Sequence, residues 1–169
     1  MKKSVGIWIT LFILLIFTNF QASALAADLI AGRNADVVGN VSVSKEGDFL
    51  HIKYTINDSN WCMTNTHLHV APSFESIPQT KSGNPIPGRF DYRGTLGYST
   101  EGIVCGVEYS YMIQLFGATG MLYIAAHADV INQMNQKGEA AWGDGIEFPG
   151  GNWATYFTYV VPAPGPIPR

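Results

Sequence analysis

Apolar and polar residues alternate at a period of two through much of this chain, and after residue 26 no stretch keeps an apolar 3.6-residue period for long. Leu50, Ile52, Tyr54 and Ile56 alternate with His51, Lys53 and Thr55. The turn Lys45-Glu46-Gly47-Asp48 joins that strand to Val41-Ser42-Val43 as a hairpin. Further strands are predicted at Met63–Ala71, at Ile103–Leu115, around Leu122, Ile124, Ala126 and Ala128, and along Trp153, Thr155, Phe157, Tyr159 and Val161. Six or more short strands at hairpin spacing predict an all-β domain, a single antiparallel β-sandwich, with a closed β-barrel as the alternative.

Two segments interrupt the alternation, Pro72 to about Gly102 and Ile131 to Asn152, and unpatterned stretches of that length in a compact domain are commonly functional or disordered loops. Asn84-Pro85-Ile86-Pro87-Gly88 is rigid, so the first is expected to be an ordered surface loop returning Phe90 and Tyr92 to the body. Asn132-Gln133-Met134-Asn135-Gln136 is expected to make a short helical turn in the second. The segment Pro162-Ala163-Pro164-Gly165-Pro166-Ile167-Pro168 favours polyproline II and ends the domain, giving a Pro-rich extended tail over 162–169.

At the other end the pattern is of a different kind. Lys2 and Lys3 precede an almost unbroken apolar run from Ile7 to Phe17, and Ala24-Leu25-Ala26 is a small-x-small motif, so residues 1–26 are expected to be a signal peptide. A spanning helix needs about 20 apolar residues, and this run stops at Thr18 and Asn19. The domain proper is then 27–161, expected outside the cell, or in the periplasm if the host has an outer membrane, with no membrane span after cleavage. Of 10 Lys and Arg, two fall in the leader and none of the 13 acidic residues does, which leaves the mature chain acidic. With no basic patch or charge run, nucleic acid and anionic membrane are poor partners.

Export changes the chemistry of the two cysteines. Cys62 and Cys105 are expected to form one disulfide, since pairing is the default in an oxidising compartment; free or metal-bound thiols are the other reading. By strand parity Cys62 is in phase with Leu68 and Val70, and Cys105 with Val107, Tyr109 and Ile113, so both thiols are expected to point inward.

Several motifs, in order, resemble an uncharacterised family of secreted or surface prokaryotic β-domains. They are Thr66-His67-Leu68-His69-Val70, Ile77-Pro78-Gln79-Thr80-Lys81, Gly83 to Gly88, Ile124-Ala125-Ala126-His127-Ala128, Ala141-Trp142-Gly143 and Asn152-Trp153-Ala154-Thr155-Tyr156-Phe157. The resemblance spans about Asp36 to Val161. It implies a domain type and carries no substrate, cofactor or catalytic residue. Where the family pattern has an acidic residue before the Thr-His pair this chain has Asn65, which removes any role needing a carboxylate there.

Two constellations hold candidate chemistry. Alternate residues of a strand share a face about 6–7 Å apart, so His67 and His69 could converge on one ion, and a facing strand could add His127 with Asp129. Imidazole ligands suit a transition metal such as Zn or Cu better than Ca. The same residues could equally lie on the solvated face of a sheet. The second constellation is the aromatic, glycine-rich stretch from Trp142 to Trp153, with Asp144, Glu147 and Asn152. With Asn84 and Tyr92 from the first loop, Trp142, Asp144, Asn152 and Trp153 are candidate ligand-binding residues, since aromatic platforms beside acids and amides suit sugar rings. Asp144 and Glu147 also offer oxygen ligands for Ca, without the ordered acid spacing of a calcium loop. No Gly-x-Ser-x-Gly elbow, phosphate loop or dinucleotide fingerprint occurs. The reading is therefore a secreted non-catalytic binding or surface-matrix module, whose partner is a cell-surface or matrix polysaccharide or protein. The alternatives are a hydrolase-like metalloenzyme at His67, His69 and His127, and a filament or biofilm subunit.

Overall fold

The computed structural model describes residues 24–96, 98–99, 102–103 and 105–163. The expected leader up to Ser23 and the tail beyond Ala163 lie outside the described residues. Twelve strands are described: β1 (Leu25–Ala31), β2 (Asp36–Glu46), β3 (Phe49–Ile56), β4 (Trp61–Ala71), β5 (Tyr92–Thr95), β6 (Tyr98–Ser99), β7 (Gly102–Ile103), β8 (Glu108–Gln114), β9 (Gly120–Asn132), β10 (Lys137–Gly143), β11 (Ile146–Glu147) and β12 (Thr155–Val161). Ten of them form one antiparallel sheet, and β6 and β7 make a separate two-stranded pair. Among the described residues no helix is long and apolar enough to cross a membrane.

The all-β antiparallel architecture is as the alternation implies, the expected Cys62–Cys105 disulfide is formed, and the single sheet curls until it is nearly closed into a barrel. Neighbours run β4–β9–β10–β1–β2–β3–β8, which brings β8 back toward β4. A short bridge joins these two ends: the Met63 N–H donates to the Gly106 carbonyl at 2.8 Å and the Gly106 N–H returns to the Met63 carbonyl at 3.0 Å. The Cys62–Cys105 disulfide sits beside that bridge and staples the seam. Farther along, β5 fills the gap by pairing with β4 from Asn65 to Leu68.

The barrel interior is the main core. Leu50, Ile52 and Tyr54 on β3, Val41 and Val43 on β2, and Leu68, Ile124, Ala126 and Ala128 on β4 and β9 are fully buried there. At about 25 cal/mol per Å² this apolar burial is the chief stabilising term. Two β-bulges set which residues face in. On β2 the register with β1 slips between Leu29 and Ile30, so Val38 and Val41 both turn inward despite their odd spacing. Just beyond Val38, a Cβ on Gly39 would stand 1.9 Å from the Thr55 carbonyl oxygen, so the two backbones can approach only at glycine.

On β4 the slip lies between Met63 and Asn65, which puts Trp61, Met63 and Leu68 in the interior and turns Asn65, His67 and His69 outward. This overturns the parity argument for the cysteines, though not their pairing. Cys62 is buried but belongs to neither core, and Val107, expected inside with Cys105, is 54 % exposed.

Three expected elements differ. The predicted strand Ile103–Leu115 is split, because Gly106 is used for the seam and β8 starts only at Glu108. The second predicted loop is mostly a β9–β10 hairpin, and the Asn132–Gln136 turn closes it, the Gln136 N–H donating to the Asn132 carbonyl at 2.8 Å. Strand β1 begins inside the small-x-small motif, with Leu25 opposite Val43 and Ala26 opposite Ser42.

Candidate functional site

Outside the barrel, over β4, β9, β10 and β12, lies a second apolar cluster built from Ala71, Ile77, Phe90, Ala125, Trp142, Phe148 and Ala154. It forms because outward residues of the sheet meet the two irregular segments, Pro72–Asp91 and Asp144–Ala154, which fold over them. Ring packing is continuous: Phe90 lies edge-on to Trp142 with centroids 6.3 Å apart, Phe148 stands 6.3 Å from Trp142 and 5.2 Å from Tyr156, and Phe74 stands 4.8 Å from Tyr156.

The two segments are also laced to each other. Asn84 Oδ1 accepts the Asn152 N–H at 3.3 Å, and Gly83, at φ +85°, packs so close that a Cβ would fall 2.7 Å from Pro149 Cγ. The first loop carries its own backbone bonds, Thr80 N–H to the Asn84 carbonyl at 2.8 Å and Ile86 N–H to the Pro78 carbonyl at 2.9 Å. It is ordered, as its prolines imply, and it returns Phe90 to the outer cluster and Tyr92 to the barrel interior. Asn84→Ala is expected to cost about 1 kcal/mol through the lost hydrogen bond. Its mark is faster hydrogen exchange at the Asn152 amide with unchanged exchange in β3; uniform loss across both would refute this local lacing.

Under these loops runs a transverse row of outward side chains on four adjacent strands: Arg93 on β5 opposite His67 on β4, His67 opposite His127 on β9, and His127 opposite Trp142 on β10. The two imidazoles meet, with Nδ1 to Nδ1 at 3.3 Å, and His127 lies edge-on to Trp142 at 4.7 Å. Beneath them, inside the barrel, the Tyr54 hydroxyl donates to the His67 carbonyl at 3.2 Å. His127 Nε2 faces the Asp129 carboxylate at 3.9 Å. Arg93 reaches across to donate to the Gly88 carbonyl, tying the row to the first loop.

Burial pushes the His127 imidazole down to about 4, with neighbouring His67 adding to the effect and Asp129 opposing it. The half-buried His67 is also lowered, by burial first, against Asp129 and with Arg93. Both rings are therefore neutral at neutral pH, and their 3.3 Å contact is a hydrogen bond in the tautomers that place one proton on either Nδ1.

His69 does not join them. Though on the same face and only 6 % exposed, it lies 5.7 Å from the Phe90 ring and has its Nδ1 3.3 Å from Asp91, where the carboxylate is too far out of line to accept a hydrogen bond. Among the described residues no group of three or more His, Cys, Asp and Glu side chains is placed to hold a metal ion. Asp144 and Glu147 are both exposed, and an Asp144 carboxylate oxygen accepts the Gly145 N–H.

The other candidates separate in the same way. Trp142 is 5 % exposed and forms the wall beside His127, so it supports the face and does not present itself to a ligand. Tyr92 packs against the interior core, its ring 5.9 Å from Tyr111. Asn84 is spent on the lacing bond. Trp153 and Asn152 remain half-buried, and they line a surface depression of about 370 Å³ together with Glu147, Gly151 and Arg33. Arg33, Asp91 and Arg93 are the residues that sequence reasoning missed. Arg93 was discoverable only in part: Asp91 and Arg93 alternate with Tyr92 and Gly94, but nothing local tells that this short strand lies against the histidines. Arg33 comes from the β1–β2 turn, more than a hundred residues from Trp153 in sequence.

No family model, no curated protein and no solved structure matches this chain.

Proposed function

We propose that this is an exported, non-catalytic binding module of the surface β-domain type its motifs resemble, and that it takes a cell-surface or matrix polysaccharide in the depression formed by Trp153, Asn152, Glu147 and Arg33. The observation that carries this reading is the composition of that depression: an indole beside an amide, a carboxylate and a guanidinium, which is the set of groups that suits a sugar ring's apolar face and hydroxyl rim. The scaffold supports it. Loop residues anchored by a dedicated apolar cluster lose little conformational freedom on binding, so interaction energy is not consumed in ordering them. The Cys62–Cys105 bridge and the apolar leader support export.

The test is affinity electrophoresis of the mature protein through gels containing a panel of acidic and neutral polysaccharides. Wild type is expected to be retarded by at least one, and Trp153→Ala and Asn152→Ala to migrate freely while keeping the wild-type circular dichroism spectrum. Retardation that survives Trp153→Ala, or none with any polysaccharide, would reject the assignment. Trp142→Ala is not a test of binding, since the side chain is interior to the loop cluster.

A further inference from the structure

We propose that His67 and His127 form a two-imidazole site for a single divalent transition-metal ion, Zn²⁺ by geometry, coordinated through both Nδ1 atoms. The separation of those atoms is the first argument. Two nitrogens bound to zinc at about 2.0–2.1 Å and subtending a tetrahedral angle stand about 3.3–3.4 Å apart, and the structure holds them at 3.3 Å. The separation of the two nitrogens is already that of a zinc-bound pair. With His67 in the Nδ1–H tautomer, that proton moves to His67 Nε2 as the ion binds, so the neutral pair releases none to solvent.

The second argument is the surroundings of His127. Its Nε2 faces Asp129 at 3.9 Å, and the carboxylate's field favours the ring proton on Nε2, which leaves the Nδ1 lone pair turned to His67. At 3.9 Å the carboxylate makes no hydrogen bond to the ring and acts on it through its charge alone. Trp142 packs edge-on to the same ring at 4.7 Å and limits its rotation. Both histidines stand on paired strands at directly opposed positions, so the bite is set by the sheet and not by a loop. The nearby charges offset, Asp129 against Arg93, whose guanidinium is engaged with the Gly88 carbonyl. Two coordination positions are left for water or for a donor atom from outside. His69 takes no part, because its ring is turned to Asp91 and Phe90. The site is independent of whatever the Trp153 depression binds.

The experiment is titration of mature, tag-free protein with ZnCl₂, followed by calorimetry and by ¹⁵N resonances of the imidazoles. One equivalent is expected to bind, with the Nδ1 resonances of His67 and His127 moving and those of His51 and His69 staying in place. His67→Ala is expected to weaken binding at least tenfold and His69→Ala less than twofold. Because His127 is buried, its replacement also alters the packing around it, so the resonance assignment in wild type decides the matter for that residue. Absence of a one-to-one event, movement of the Nε2 in place of the Nδ1 resonances, or equal losses in His67→Ala and His69→Ala would each overturn the proposal.

Discussion

Replacing both Cys62 and Cys105 with serine is expected to lower the unfolding free energy by about 4 kcal/mol. The bridge closes a loop with a sequence separation of 43, and the loop-entropy relation assigns about that value to a cross-link of this span. The place of the bridge adds a structural consequence. Elsewhere the sheet is held by continuous ladders, whereas among the described residues no ladder joins β4 to β8, and the seam is closed by the paired Met63 and Gly106, a 2.7 Å bond between the Thr66 and Tyr111 hydroxyls and a 3.3 Å bond from the Tyr111 hydroxyl to the Thr66 carbonyl. Without the disulfide, the Met63 and Gly106 amides are expected to exchange by local opening while Leu50 and Ile52 in β3 stay protected until global unfolding. Urea denaturation of wild type and the double variant measures the first effect, and native-state hydrogen exchange the second. A difference below about 1 kcal/mol would mean that the seam is closed by packing alone.

Acid is expected to destabilise the protein by about 3 kcal/mol between pH 6.5 and pH 4 through His127. In the unfolded chain this imidazole takes up a proton near 6.5, and in the folded protein only near 4, because burial among Trp142, His67 and the loop cluster excludes the charged form. Between those values the unfolded state binds more protons than the native one, so stability rises with pH across that window; it is complete above about 6.5 and lost as pH falls toward 4. His67, lowered in the same direction, adds to the slope, to a smaller degree because it is half exposed to solvent. Denaturant unfolding at pH 7.5 and 4.5 reads the effect. A His127→Asn variant, which cannot take the charge, should show a much flatter dependence. If wild type and variant lose stability equally, the acid sensitivity belongs to carboxylates elsewhere.

The second expectation rests on a sheet that is covered on both faces over part of its width. Inside, the barrel encloses the aliphatic core. Outside, the part of the same sheet formed by β4, β9, β10 and β12 is roofed by loops, and of the histidine row His127 is buried there while His67 is half-buried and Arg93 exposed. The roof converts solvent-facing strand positions into buried ones, which is why His127 is 7 % exposed while His51, on an unroofed strand, stands at the surface 3.2 Å from Glu46.

The chain's own pattern was enough for the β class, for the strands at Leu50–Ile56 and Met63–Ala71, for the cysteine pairing and for the shared face of His67 and His69. Each of these depends on alternation or composition, which a single strand expresses by itself. The tertiary structure alone decided the rest. Lys137–Gly143 carries no alternation because its apolar residues, Ala141 and Trp142, are buried on opposite faces, one in each core. Bulges at Thr64 and Val38 reset phase without any local mark, so inside and outside had to be settled by the partner strands. Meeting of His67 with His127 and parting from His69 follow from register across β4, β5 and β9. Register is fixed by which strands pair and where the barrel closes, through contacts between residues far apart in the chain.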